Sequence, residues 1–331
     1  MTEITSYHGQ AVIKEPIWTW EIPMYFFTGG MAGASAGLAH LSGLRGNDVL
    51  ARRAWAISLG AIGISPAFLI SDLGRPARFL NMLRMFKVTS PMSVGSWILG
   101  ASGAATTLAA ANAWTGFLPR PARVARPAAA LLGLPLSTYT AALVANTAVP
   151  VWHEARRVLP FVFGSGAALS AGAAAVIATP TEHAGPARRL ALASAALELG
   201  LNEAMRRQLG EHAEPYKRGA PSKLRVVSGA AIATGAALLV RRGSSSRAAA
   251  VAAGSLLAAG AACARWTVFR AGFVSASDPK YVIEPQRRNI DRGERRGAAR
   301  REATVRDARP AAGSPATAPA VVRDQQSLSA P

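Results

Sequence analysis

Eight apolar runs of about 20 residues, the length an α-helix needs to cross a bilayer, recur along the chain. They lie at 21–44, 53–73, 92–113, 128–149, 159–178, 187–209, 224–240 and 248–269. Irregular backbone cannot face lipid, because its N–H and C=O groups would go unbonded there. Each run is therefore expected to be a helix. The pattern predicts an all-α integral membrane protein with about eight transmembrane helices in bundles. Ala and Gly are abundant within the runs, which suits helices that approach closely in lipid. The run 187–209 carries Glu198, Asn202 and Glu203, so it reads equally as an interfacial helix. The run 224–240 sits at the short end of spanning length. Residues 1–20 form a polar N-terminal arm, and 21–280 the membrane domain. The Arg/Ala/Pro-rich tail 281–331 has no periodic apolar stripe to bury and is expected to be disordered.

The polar connectors are uneven. The one between the second and third runs, within SDLGRPARFLNMLRMFKVTSPMSVGSW, holds an acid and four basic residues. An even number of spans puts the N-terminus, this DLGRP loop, the PVWHEARR loop and the tail on one face. Trp18, Trp20, Glu21, Asp72, Arg75, Arg78, Ser90, Trp152 and His153 can then gather at one membrane surface. That face carries thirteen Lys and Arg before the tail is counted, against eleven on the other. Cytoplasmic loops concentrate Lys and Arg, so the expected arrangement is a multi-pass cell-membrane protein with both termini cytoplasmic.

Composition narrows the chemistry. Of 331 residues, 50% are hydrophobic, and the mean hydropathy of +0.19 leaves the decision to the distribution already described. The net charge of +19 lies in loops and tail, where it suits anionic lipid. Base-reading motifs are missing, so no nucleic acid is expected as a partner. The one cysteine, Cys263, can form neither an internal disulfide nor a Cys₄ iron–sulfur site. The start, MTEITSYHGQ, lacks a basic-then-apolar leader pattern, so the first span is expected to act as its own insertion signal. A haem between helices needs axial ligands on facing helices. His8, His183 and His212 fall in loops or the arm, His153 at an edge, and His40 near the opposite end of the first run. The expectation is a chain without haem or a metal site of its own.

Several polar residues within or beside the runs are candidates. Glu21 opens the first run. An acid at that depth is a functional candidate, or a carboxylate complementing a helix dipole. Asp72 and Arg75, three apart, read as a local ion pair with Pro76 stopping the helix, and such a pair can also floor a pocket. Tyr139 and Asn146 are seven apart and share a helix face. They could bond a carbonyl ligand or each other's neighbouring helices. Glu198 and Asn202 share a face at i,i+4, which suggests a proton relay or an amphipathic surface helix.

WEIPMYFFTGGMAG, then DLGRPARFLNML, then SPMSVGSW, and finally SASDPKYVIEPQR occur in that order over about residues 12–290. In this the chain resembles the NrfD/polysulfide reductase membrane-subunit family. The resemblance implies a haem-free membrane anchor in a quinone-linked oxidoreductase complex. It implies a ferredoxin-like iron–sulfur subunit and a molybdopterin catalytic subunit as partners, beside the lipid bilayer. It also implies a quinone, menaquinone or ubiquinone, bound near the face that meets the iron–sulfur protein. Family quinone sites use polar groups of the first helix and a tyrosine of a central helix. Glu21 and Tyr139 are the nearest matches, with Tyr25 and Asn146 beside them. Glu21, Asp72 and Glu198 become the proton-transfer candidates, and Arg75, Arg78, Ser90 and His153 the structural or docking ones. Two other classes remain: a polytopic secondary transporter, whose polar residues would sit at the midplane, and a structural anchor without a working quinone site.

Overall fold

The computed structural model describes residues 12–75 and 77–291. All regular structure among them is helical. In chain order the helices are α1 (Glu21–Leu44), α2 (Asp48–Asp72), α3 (Ala77–Arg84), α4 (Pro91–Thr115), α5 (Pro119–Ala145), α6 (Pro150–Glu154), α7 (Leu159–Ala178), α8 (Gly185–Leu209), α9 (Gly219–Arg242), α10 (Arg247–Ser277) and α11 (Lys280–Asp291). Short 3₁₀ segments, Ala155–Arg157 and Gly210–Lys217, precede α7 and α9.

Eight of these helices are 20 residues or longer and stand where the eight apolar runs place them. Six of the eight, α2, α4, α5, α7, α9 and α10, are long and apolar enough to cross a membrane. The other two are α1 and α8. Helix α1 is lowered by its Gly, Ser and Thr positions, and these are the residues it buries against α2, α5 and α7. A helix enclosed by other helices needs small contact residues more than lipid-soluble ones. The approach of α1 to α5 is set by one glycine on each: a Cβ on Gly33 would stand 2.4 Å from the Gly133 carbonyl oxygen.

Helix ends follow local chemistry. Asn47 caps α2 by accepting from the Leu50 N–H at 3.1 Å, and its own amide donates to the His183 carbonyl at 2.9 Å. Ser90 caps α4, with Pro91 as its first residue, a position where a missing N–H does no harm. Helix α5 starts about nine residues earlier than the hydrophobic pattern suggests. Pro119 opens it, and Arg120, Arg123 and Arg126 lie in its first turns rather than in a loop. The Arg126 guanidinium donates to the Asn112 side chain at 2.8 Å, which anchors that charged turn to α4. The composition change at Tyr281 does not end the helical chain either. Asp278 accepts from the Lys280 N–H at 3.1 Å and α11 runs on to Asp291. One compact unit closes at Val282 and a second begins at Ile283. Pro76, the arm before residue 12 and the tail beyond 291 lie outside the described residues.

Successive long helices run up and down, which brings the expected ends together. Trp18, just before α1, stacks on Trp152 of α6 at 5.7 Å between ring centroids. Trp152 meets Phe269 and Phe273 near the end of α10 and donates to the Val268 carbonyl at 2.8 Å. Lys280 pairs with Glu214 of the second 3₁₀ segment at 2.7 Å. An aromatic-rich core occupies this end, and an alanine-rich core the rest of the bundle.

Candidate functional site

A narrow cleft of about 40 Å³ opens at the aromatic end, where the start of α1 meets the end of α2, the start of α4 and the second half of α5. Trp18, Tyr25, Asp72, Met92, Ser96 and Tyr139 contribute to its walls. Apart from Trp18, each comes from one of the quoted motifs or from α5. Tyr25 is 1% exposed, and its hydroxyl has no hydrogen-bond partner among the described residues. A buried phenol without a partner loses its hydration for nothing in return, a deficit of about 1–3 kcal/mol. Its ring meets Tyr139 edge-on at 6.4 Å.

The SPMSVGSW segment shapes the opposite wall. Tyr139 lies directly on Gly95: a Cβ there would stand 2.1 Å from the ring carbon Cε2. No other residue leaves room for that ring. Ser96 turns its hydroxyl back to the Met92 carbonyl at 2.9 Å. Ser90 accepts from the Ser93 N–H at 3.4 Å and Ser93 donates to the Met85 carbonyl at 2.8 Å. These serines fold the loop and leave the cleft to the tyrosines.

The acids form a chain leading outward. Asp72 lines the cleft and accepts from the Thr19 N–H at 3.2 Å. The Thr19 hydroxyl lies 3.3 Å from Asp72 Oδ1 and bonds the Glu21 carboxylate. Glu21 also accepts from Ser71 at 3.5 Å. The order is cleft, Asp72, Thr19, Glu21, with Glu21 partly exposed.

Several expectations are corrected here. Asp72 pairs with Thr19, and no Asp72–Arg75 ion pair forms among the described residues; Arg75 is exposed. The chain turns through Gly74 at φ +67°, which carries Arg75 away from the end of α2. Glu21 does not line the cleft, because it points to Thr19 and Ser71. Asn146 does not line it either. Helix α5 ends at Ala145 and Asn146 caps it with φ −87° and ψ 28°, so the seven-residue spacing no longer places it on Tyr139's face. His153 is exposed, with Nδ1 3.3 Å from the Ala145 carbonyl. Arg78 is exposed and reaches the Leu73 carbonyl at 3.5 Å. Glu198 is completely buried, so the face of α8 that carries it packs against the protein.

Glu198 sits in a second polar cluster, away from the cleft. It accepts from Ser165 of α7. Across the same turn of α7, Arg265 of α10 interacts with it electrostatically. Arg265 is 2% exposed. It donates to the Val162 and Phe163 carbonyls at 3.3 and 2.6 Å and lies 4.3 Å over the Phe163 ring. Sequence reasoning passed over Arg265, although a lone arginine inside the run 248–269 was a visible signal. Thr19 and Gly95 offered no comparable signal, since small and hydroxyl residues are common in such helices.

A family model described as polysulphide reductase, NrfD, matches residues 8–200. The match takes in the WEIP, DLGRP and SPMS segments and Tyr139, and ends before α9, α10 and SASDPKYVIEPQR. No curated protein matches the chain.

Proposed function

The chain belongs to the NrfD polysulphide reductase family, and as a multi-pass membrane subunit of a respiratory oxidoreductase complex it binds, we propose, a quinone or quinol at the cleft between α1, α2, α4 and α5. The observation that carries this is Tyr25: a fully buried hydroxyl, unpartnered among the described residues, in the wall of the cleft. A carbonyl acceptor relieves that deficit. Tyr139 stands beside it as a second phenol, less buried.

The residues fit the chemistry of such a ligand, with aromatic and aliphatic walls and few polar groups. As it stands the cleft has the volume of a water molecule or two. Met92, 40% exposed, is the wall that moves, because an unbranched thioether has several accessible rotamers. Bound there, a quinone takes up two electrons and two protons to become a quinol, or the reverse. Asp72 hands protons between the cleft and Thr19, and Glu21 exchanges them with the surface. The electrons come from or go to a ferredoxin-like iron–sulfur subunit, itself served by a molybdopterin catalytic subunit. The DLGRP loop supports docking at this end: it exposes Leu80, Met85 and Phe86 between Arg78, Arg84 and Lys87. The excess of Lys and Arg supports a cytoplasmic position for this end.

Tyr25→Phe tests the reading in the assembled complex. Quinone affinity falls about tenfold, as expected for one lost neutral donor, while thermal stability stays level or rises because the hydroxyl had no protein partner. Wild-type quinone affinity in Tyr25→Phe, with assembly intact, overturns the site.

A further inference from the structure

On the far side of the bundle from the cleft, between α8 and α9, lies a slot of about 220 Å³. Its walls change character along their length. At one end stand Arg206 of α8, Arg225 of α9 and Tyr216 of the intervening 3₁₀ segment. At the other stand Leu199 and Ile232, each seven residues deeper on its helix, a rise of about 10 Å. The slot is therefore polar at the interface and apolar toward the bundle centre.

The polar end has more donors than acceptors. Tyr216 is 1% exposed, and its hydroxyl has no partner among the described residues. The Nε of Arg225 is buried and equally unpartnered there. Arg206 and Arg207 both bond Glu203, so one carboxylate serves two guanidiniums. Arg225 forms no ion pair among the described residues, and it repels Arg206 across the slot. The other hydroxyls on the wall are already used: Ser228 donates to the Gly260 carbonyl and Thr267 to the Cys263 carbonyl, each at 2.8 Å. Like charges held side by side with free N–H and O–H groups call for an anion. The apolar continuation calls for a hydrocarbon chain attached to it.

We infer that this slot binds the phosphate diester of an anionic phospholipid, with Arg206, Arg225 and Tyr216 on the phosphate and the first acyl methylenes between Leu199 and Ile232. Leu197 of α8 and Val226 and Val227 of α9 are exposed, and add the apolar surface that lipid tails require to the two helices of the slot. Basic pockets between membrane helices recognise acidic head groups in this way. Helix α9 leaves space for the chain at Gly229, where a Cβ would meet nothing within 4 Å. The inference is independent of the quinone reading, since none of these residues touches the cleft.

Native mass spectrometry of the full-length protein from nanodiscs of equal phosphatidylglycerol and phosphatidylcholine tests it. One phosphatidylglycerol per chain stays bound after detergent strips the other lipids. Arg206→Gln with Arg225→Gln lowers its retention roughly thirtyfold, the effect of two cations near an acidic head group. Gly229→Leu keeps every charge, fills the slot and also releases the lipid. Equal retention of the two lipids by wild type overturns the inference. So does wild-type retention in both variants. Displacement of the lipid by millimolar inorganic phosphate marks a free-phosphate site and overturns the lipid source.

Discussion

The cleft and the Glu198–Arg265 cluster are built from similar material, polar side chains among apolar helices, and they differ in what those side chains do. Arg265 directs two N–H groups at backbone carbonyls and its face at a ring. Glu198 takes the Ser165 hydroxyl and has one oxygen left over among the described residues. That cluster ties α7, α8 and α10 together and lines neither the cleft nor the α8–α9 slot. At the cleft, by contrast, a phenol is left unbonded beside an opening and an acid leads from it to the surface. A buried charge can thus be structural, while a neutral hydroxyl without a partner is the better sign of a ligand.

The sharpest way to separate the two regions is Arg265→Met. Removing one member of a buried pair strands the other charge and costs about 3–5 kcal/mol. The thermal midpoint in detergent should fall steeply. Adding Glu198→Gln should recover much of it, because the stranded charge goes too. An Arg265→Met protein as stable as wild type would show that the cluster does not hold the helices.

Gly95→Ala acts on the cleft. The new methyl group collides with the Tyr139 ring, and overpacking of this kind costs about 1–3 kcal/mol. Quinone titration should show weakened binding while the Glu198 cluster is untouched. Unchanged affinity would mean that the Tyr139 ring position is irrelevant to the ligand.

Tyr139→Phe should do less. Its hydroxyl is not sealed from water, so the lost bond is offset by solvent and affinity should drop only a few-fold, against about tenfold for Tyr25→Phe. Equal losses would make the two phenols equivalent and remove burial as the deciding factor.

The smallest effect concerns a contact that lines neither the cleft nor the α8–α9 slot. Lys280, hydrogen-bonded to Glu214 at 2.7 Å, holds that carboxyl below its ordinary value near 4.5, with Tyr281 and Arg218 assisting. A carboxyl depressed on folding stabilises fully above its unfolded value and stops doing so as pH falls through the folded one. The thermal midpoint of wild type should therefore slip below about pH 4.5 relative to Glu214→Gln, with quinone affinity unmoved. Parallel pH profiles for the two proteins would dismiss the contact as a contributor.

The eight long helices, their order and the gathering of WEIP, DLGRP and PVWHEARR at one end were legible along the chain. Hydrophobic blocks of bilayer length have one stable form in lipid, and short connectors force neighbours to alternate. Tyr139 and Asp72 were legible as candidates, since polar groups in such blocks are rare, and Tyr25 entered only through the family resemblance. Their grouping was not. Asn146 shares a helical spacing with Tyr139, but the helix stops one residue before it. Glu21 is four residues from Tyr25 and so on the same helix face, yet Thr19 and Ser71 hold it outside the cleft.

By itself, then, the sequence determined how many long helices form, which ends meet and which residue types are available there, because each of these depends on local apolarity and chain direction. Only the tertiary structure decided which hydroxyl is left without a partner, which acid reaches the cleft and that Arg265 stands against Glu198. Those outcomes depend on how far each helix is rotated and how closely it approaches its neighbour. Contacts such as Gly33 on Gly133 and Tyr139 on Gly95 set both, and they join residues about a hundred and about forty positions apart, beyond the reach of any periodicity along one helix.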